Sequence, residues 1–317
     1  MMDRHGNVAA PITIDLNFLD QPGVIAAFLL RGADEAALIE TGPGSTIATL
    51  LEATAREGVT PEEVRHILVT HIHLDHSGGA GLLLKHFPNA TLYAHERGTP
   101  HLIDPTKLVA SATRIYGGLM HRLWGDIVAV PAERVIPLVH GQRVRVAGRV
   151  LEVLYTPGHA VHHVAYRDLA GGEIFSGDAA GSRLEGFSYV RPLTPPPDLD
   201  LEEWDRTLDL LVGYNPPALY LTHFGRHEGV KEHLAELRLH LREWEALVLA
   251  GLRAGHDRTT IAASLQRNGD RELLIRQASP DIIARYESTS AYAMNAAGYE
   301  RYLRKRIPDL PTPETSL

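Results

Sequence analysis

The sequence predicts an α/β protein: a mixed sheet with parallel elements, followed by a tail of helices. Three patterns carry the prediction. Short β-branched apolar runs alternate with helical periods between residues 23 and 95, strand-like runs crowd 135–177, and no strand pattern follows residue 253.

Taken in order, "GVIAAFLLRGADEAALIETG" (23–42) reads as two strands joined by a turn at Gly32-Ala33-Asp34. "STIATLLEATAREG" (45–58) places Ile47, Leu50, Leu51 and Thr54 on one helical face, with Gly58 as a stop signal. "HILVT" (66–70) is a short apolar strand, "GGAGLLLKHF" resumes helical character, and "ATLYAH" (90–95) is again a strand. Residues 105–124 put Leu108, Ala112, Ile115, Tyr116, Leu119, Met120, Leu123 and Trp124 at the spacing of one amphipathic helix. Core packing, a lid and a dimer contact are the uses open to that stripe. "RVIPLV", "QRVRVAG", "RVLEVLYT", "HHVAYRD" and "GEIFSG" are strands broken by Gly and Asp turns. "RPLTPPPDLD" (191–200) reads as an ordered loop, before a helix from Leu201, the strand "ALYLT" (218–222) and a long helix from about Gly229 to Ala250. Residues 1–252 are expected to form the main domain, and 253–317 a helical extension packed on it. There is no internal repeat or low-complexity tract.

At 317 residues the chain can bury a sizeable core without staples. It has no cysteine, which excludes disulfides and thiolate metal sites, so any metal must be held by nitrogen and oxygen. The 31 Lys and Arg against 39 Asp and Glu leave a formal charge of −8, which argues against nucleic acid and anionic membranes as partners. "MMDRHGNVAAPITIDLNF" lacks the apolar core of a signal peptide, and no apolar run reaches the roughly 18 residues of a membrane span. A cytoplasmic protein acting on a small molecule is expected, with a homodimer left open.

The unusual number is 18 histidines, three of which fall with an aspartate in "HIHLDH" (71–76) at the end of an apolar strand. His71 and His73 alternate, so in extended backbone they point the same way, while Asp75 and His76 lie a step further on. Neutral imidazole and carboxylate are ligands for zinc and its first-row neighbours. Three histidines at prescribed positions arise by chance at roughly one start site in several thousand. A purification tag would sit at a terminus. Three more strand ends supply donors: His159 in "LYTPGHA", Asp178 in "IFSGDAA" and His223 in "LYLTHFG". Each alone is a weak signal, since a strand-end His or Asp is more often a turn residue.

In "THIHLDH", "TPGHAVHH", "SGDA" and "THFG", in that order, the chain resembles the metallo-β-lactamase fold superfamily over roughly residues 12 to 230, closest in style to glyoxalase II-like and lactonase-like hydrolases. The resemblance implies a four-layer αβ/βα sandwich of two mixed sheets. It implies that His71, His73 and His159 hold one ion and Asp75, His76 and His223 a second, with Asp178 bridging. Glu40 in "LIETGPG" stands where the family usually has Asp, supporting the ligand loop from behind. His163 matches the family's second histidine of the "TPGH" motif, a supporting role; His162, His95, His227 and His66 read as ordinary packing or surface residues. Arg183, Tyr189 and Arg191 in "GSRLEGFSYVRP" are candidate substrate contacts, solvent exposure being the equal alternative for each arginine. Gly181 stands where quorum-signal lactonases carry a Tyr, which weakens a lactonase reading.

Two divalent cations about 3.5–4 Å apart can hold a bridging hydroxide as nucleophile. Zinc is the expected metal, iron and manganese the alternatives. Asp75 and Asp178 are the catalytic carboxylates of such a site, Asp75 taking up the proton. The leading expectation is a dinuclear hydrolase of a thioester, ester or lactone. Against it stand a metal-dependent phosphodiesterase or nuclease, which the negative charge disfavours, and a mononuclear iron enzyme like the persulfide dioxygenases. Oxygen-reducing diiron relatives usually replace the second histidine with Glu, whereas His73 is intact. A binding module with a dead site is the non-enzymatic alternative, and all seven ligand positions being filled argues against it.

Overall fold

A computed structural model describes residues 9–312; residues 1–8, where the stretch inspected for a leader begins, and 313–317 lie outside the described residues. The first sheet runs in the order β1 (Ile12–Asp15), β2 (Ala26–Arg31), β3 (Ala36–Ile39), β4 (Val64–Leu68), β5 (Thr91–His95), β6 (Val135–Leu138). Its first two pairings are antiparallel and the next three parallel. The parallel part is reached through α1 (Ile47–Arg56), then α2 (Leu74–Ser77) with α3 (Ala80–His86), and then α4 (Thr99–Ile103), α5 (Thr106–Tyr116) and α6 (Met120–Trp124). The second sheet contains β7 (Arg143–Val146), β8 (Arg149–Tyr155), β9 (Val164–Asp168), β10 (Ile174–Phe175), β11 (Leu219–Leu221) and β12 (Gly225–His227). All its neighbours are antiparallel except β10 and β11, so both sheets are mixed, as expected.

The sequence of β2 explains how the sheets stack. Successive side chains point to opposite faces, and β2 is apolar at both. Ala27 and Leu29 join Ile47, Leu50, Leu83 and Leu102 in a helix-side core. Ala26, Phe28 and Leu30 join Val153, Val164, Tyr166 and Phe175 in a core between the sheets. Phe28 meets Phe175 and Tyr220 at ring separations of 5.4 and 5.3 Å, within the range of favourable aromatic pairs.

These sheets and helices belong to one compact unit, made of Met1–Thr156, His162–Gly177 and Pro216–Glu228. A second comprises Pro157–Val161, Asp178–Asn215 and Gly229–Leu317. It holds α7 (Leu201–Tyr214), α8 (Val230–Arg253), α9 (Arg258–Ile275), α10 (Pro280–Thr289) and α11 (Tyr292–Arg306). The start of α7 is fixed by Asp200, whose carboxylate accepts from Glu203 N. In α8, Leu234, Leu237, Leu241, Trp244 and Val248 recur at helical spacing and are all buried. The proline-rich stretch is ordered: Asn295 Oδ1 accepts from both Thr194 N and Thr194 Oγ1. Among the described residues no helix is long and apolar enough to cross a membrane.

Three expectations are corrected. Residues 105–124 are not one helix, because Gly117 takes φ +52 and ψ −127 between α5 and α6. Leu108, Tyr116, Met120 and Leu123 still pack on the helix-side core, whereas Ile115 and Leu119 are exposed. The strand expected at 66–70 ends at Leu68, which frees the following residues for the ligand loop. The long helix runs beyond Ala250 to Arg253. The two short outer strands β1 and β12 were not foreseen.

Candidate metal centre

Strand β4 delivers the ligand loop, and both sheets hold its start. Val69 N donates to Tyr93 O at 3.0 Å in the first sheet. Val164 N donates to Thr70 O at 2.8 Å and the Tyr166 hydroxyl to Val69 O at 2.7 Å, both from β9. His73 then takes extended backbone ahead of α2, whose first turn carries Asp75 and His76. The far end of the loop is fixed by Thr41, whose N and Oγ1 both donate to His76 O at 2.9 Å.

Glu40 sits behind this loop, fully buried, at φ +67. Its Oε1 accepts from Thr70 Oγ1 at 2.6 Å, His76 Nδ1 at 2.9 Å and Thr222 Oγ1 at 3.0 Å, and its Oε2 accepts from Thr70 N at 3.2 Å. The longer carboxylate thus reaches the loop from a left-handed backbone. Thr70 Oγ1, donating to Glu40, accepts from His71 Nδ1 at 3.1 Å, which leaves the His71 lone pair on Nε2. That nitrogen faces His73 Nδ1 at 2.9 Å.

His223, after β11, has its Nδ1 2.7 Å from Val24 O. A carbonyl only accepts, so this nitrogen carries the hydrogen and Nε2 carries the lone pair. His223 Nε2 lies 3.4 Å from Asp75 Oδ2, and His76 Nε2 lies 3.6 Å from the same oxygen. One ligand atom each from Asp75, His76 and His223 falls within 4.8 Å of the others. In the second unit the same arrangement recurs: His159 Nδ1 is 2.7 Å from Leu193 O, and its Nε2 is 3.3 Å from Asp178 Oδ2. Trp204 packs edge-on to the His159 ring.

These distances test the fit of a cation. An imidazole lone pair and a carboxylate oxygen are both acceptors, and two acceptors facing each other on a largely buried site repel unless a positive charge lies between them. The carboxylate on Nδ1 of His76 and the carbonyls on Nδ1 of His159 and His223 are the outer support usual for metal-bound histidine. The donor set, nitrogen and oxygen only, suits a first-row divalent ion.

The supporting residues are placed as follows. His163 Nδ1 is 2.7 Å from Thr156 Oγ1, and its ring lies 4.8 Å from that of His71. His162 stacks on His71 at 6.2 Å. His66 pairs with Glu35, His95 stacks on Tyr155, and His227 Nε2 is bonded to Phe224 O. In the second unit, Arg191 is fully buried, with Nη2 donating to Glu287 Oε2 at 3.0 Å and its guanidinium 3.9 Å from the Tyr292 ring centre. Tyr189 is equally buried, against Tyr286 and His240. Arg183 is half-buried and donates from Nε to Phe187 O.

Four residues went unforeseen. Thr70, Thr156 and Thr222 each orient a histidine or the carboxylate behind it, and the available signal was a threonine directly before His71 and His223. Tyr116 was read only as part of an apolar stripe. Burial and the Asp75 carboxylate hold its phenol above the ordinary range, so a neutral hydroxyl donor stands in the electrostatic neighbourhood of the ligand loop.

Two mixed sheets, with a strand-end histidine–carboxylate cluster suited to divalent cations, define an α/β protein with a candidate metal site. The sequence model of the metallo-beta-lactamase superfamily matches residues 20–223, and the chain belongs to that superfamily. It is 25% identical over 221 residues to the metallo-beta-lactamase fold-containing protein ST1585 of Sulfurisphaera tokodaii, covering 68% of this chain and 79% of that protein. It is 32% identical over 168 residues to a hydroxyacylglutathione hydrolase of Xanthomonas campestris pv. campestris, covering 53% of this chain and 51% of that enzyme. The match thus spans about half the length of that hydrolase. Among solved structures, the metallo-beta-lactamase family protein TTHA1429 of Thermus thermophilus aligns with a TM-score of 0.66 and 25% identity, over 94% of this chain and 93% of that one.

Proposed function

We propose that this chain is a dinuclear metal-dependent hydrolase of thioesters, esters or lactones, working in the cytoplasm on a small molecule. Under this proposal His71, His73 and His159 would hold one cation and Asp75, His76 and His223 the other, with Asp178 serving both. The observation that carries it is the set of buried Nε2 lone pairs set against carboxylate oxygens at 3.3–3.6 Å. When bound, two divalent ions, zinc first among the choices, supply Lewis acidity and a water acidified toward neutral pH.

The remaining tasks fall to the chain itself. Glu40, with Thr70 and Thr222, fixes the tautomer and tilt of His76. Asp75 has 21% of its side chain exposed, so solvent and substrate can reach it, and its carboxylate is the acceptor for the proton of the attacking water. No Ser or Cys nucleophile is required. The hydroxyacylglutathione hydrolases make an acyl thioester of glutathione the first substrate to try.

The test is a panel on metal-replete protein: S-lactoylglutathione, an acyl-homoserine lactone, a β-lactam and bis-(p-nitrophenyl) phosphate. Turnover of a carbonyl substrate, two tightly held equivalents of metal and loss of activity on chelation are expected. His71→Ala and Asp178→Ala should each lower kcat/KM by about a hundredfold or more while remaining folded. Turnover of the phosphodiester alone, or unchanged rates in either variant, refutes the proposal.

A further inference from the structure

We propose that His240, Glu243 and Glu272 form a separate zinc-class cation site that clips α8 to α9 within the helical unit. His240 and Glu243 stand three residues apart on α8 and so share one face, while Glu272 comes from α9. His240 is only 2% exposed, and its Nδ1 lies 2.6 Å from Val190 O, outside the cluster. That carbonyl only accepts, so Nδ1 carries a hydrogen, and Nε2 faces Glu272 Oε2 at 3.1 Å, where a divalent ion would take the place of the Nε2 proton. One ligand atom from each of the three residues lies within 4.8 Å of the others.

The spacing suits an ion. Donors bound tetrahedrally at 2.0–2.1 Å are about 3.4 Å apart, so the His240–Glu272 pair is already near ligand separation. Glu243 is exposed and free to close the remaining gap, leaving the outer coordination position to water. Two carboxylates and a neutral imidazole balance a divalent charge. Arg276, four residues on from Glu272, has its own salt bridge to Glu236 at 2.7 Å and lies 5.2 Å from the Tyr189 ring centre. Tyr189 in turn packs on the His240 ring at 5.0 Å and gives the site a dry wall. A carbonyl holding Nδ1 while Nε2 faces a carboxylate is also the arrangement at His159. Through Val190 the clip reaches the 182–191 loop, whose ends are bonded backbone to backbone.

The experiment uses full-length protein equilibrated with micromolar free zinc, with bound metal counted by mass spectrometry and stability read as Tm. Wild type should carry one exchangeable equivalent beyond the two tightly held ones, and zinc should raise its Tm. Glu243→Gln, an exposed change that leaves the fold intact, and Glu272→Gln should each weaken the exchangeable site at least about tenfold and abolish the Tm response. Hydrolysis at saturating zinc should stay at the wild-type rate in Glu243→Gln. Equal zinc content and equal Tm response in wild type and both variants would overturn the proposal, leaving an imidazolium–carboxylate pair only.

Discussion

Glu40 shows how much of the centre depends on a residue that need not touch metal. Four donors converge on its two oxygens, and Glu40 and the three residues that donate to it are all buried. Removing a buried acceptor leaves its donors to meet the desolvation cost, about 1–3 kcal/mol per group. Glu40→Gln keeps the shape but turns an amide N–H₂ toward hydroxyl and imidazole donors. A loss of about 2–4 kcal/mol is expected, visible as a lower urea midpoint. Metal affinity should fall about 10–100-fold, measured by zinc titration. Glu40→Asp, although it restores the family's usual residue, should suffer comparably, because the shorter arm cannot span the same gap from a backbone at φ +67. Wild-type midpoints and affinities in both variants would show that this carboxylate is dispensable.

At the scale of elements, α7 and α11 are fastened by a charged clasp. Tyr302 donates to Glu202 Oε2 at 2.9 Å, and Arg306 reaches both Glu202 and Asp200. Burial alone would raise the Glu202 carboxyl, but the hydrogen bonds from Arg306 and Tyr302 outweigh it and hold it at about 2. A depressed folded-state pKa means the clasp stabilises fully above the ordinary carboxylate range and is lost as pH falls toward 2. Glu202→Gln should therefore lower Tm at pH 7 and make no difference near pH 2. Because the side chain is 49% exposed, the neutral-pH loss should stay near about 0.5–1 kcal/mol. A Tm difference that persists unchanged in acid would argue against the clasp. The helices themselves were legible because their apolar stripes follow the 3.6 period. The break in residues 105–124 was signalled by Gly117-Gly118 but masked by a stripe that continues across it. Strands β1 and β12 lie at sheet edges with one buried position each, too little for an apolar pattern to register, and only their partners make them strands.

For the whole molecule, the two-sheet arrangement follows from strands that are apolar on both faces, the pattern of a sheet covered on each side. Phe28 belongs to the inter-sheet core and is 1% exposed. Phe28→Ala should cost about 3–5 kcal/mol of unfolding free energy, read from denaturant titration; a loss below about 1 kcal/mol would mean the sheets are not joined there. The ligand loop was legible since four of its donors sit within six residues. The lone donors at 159, 178 and 223 drew meaning only from the family's motif order. Thr70, Thr222 and the buried Arg191 engage Glu40 and Glu287, partners distant in sequence, and for the two threonines the sole signal was a place directly before a histidine; Thr156 lies seven residues from His163 and was passed over.

Gly177, immediately before Asp178, takes φ +49, and a Cβ built there would lie 2.6 Å from Thr70 Oγ1 and 2.7 Å from His163 Nε2. Both the backbone and the space forbid a side chain. Laboratory libraries aimed at new substrates can therefore leave position 177 undiversified, since every non-glycine codon there spends clones on a displaced carboxylate.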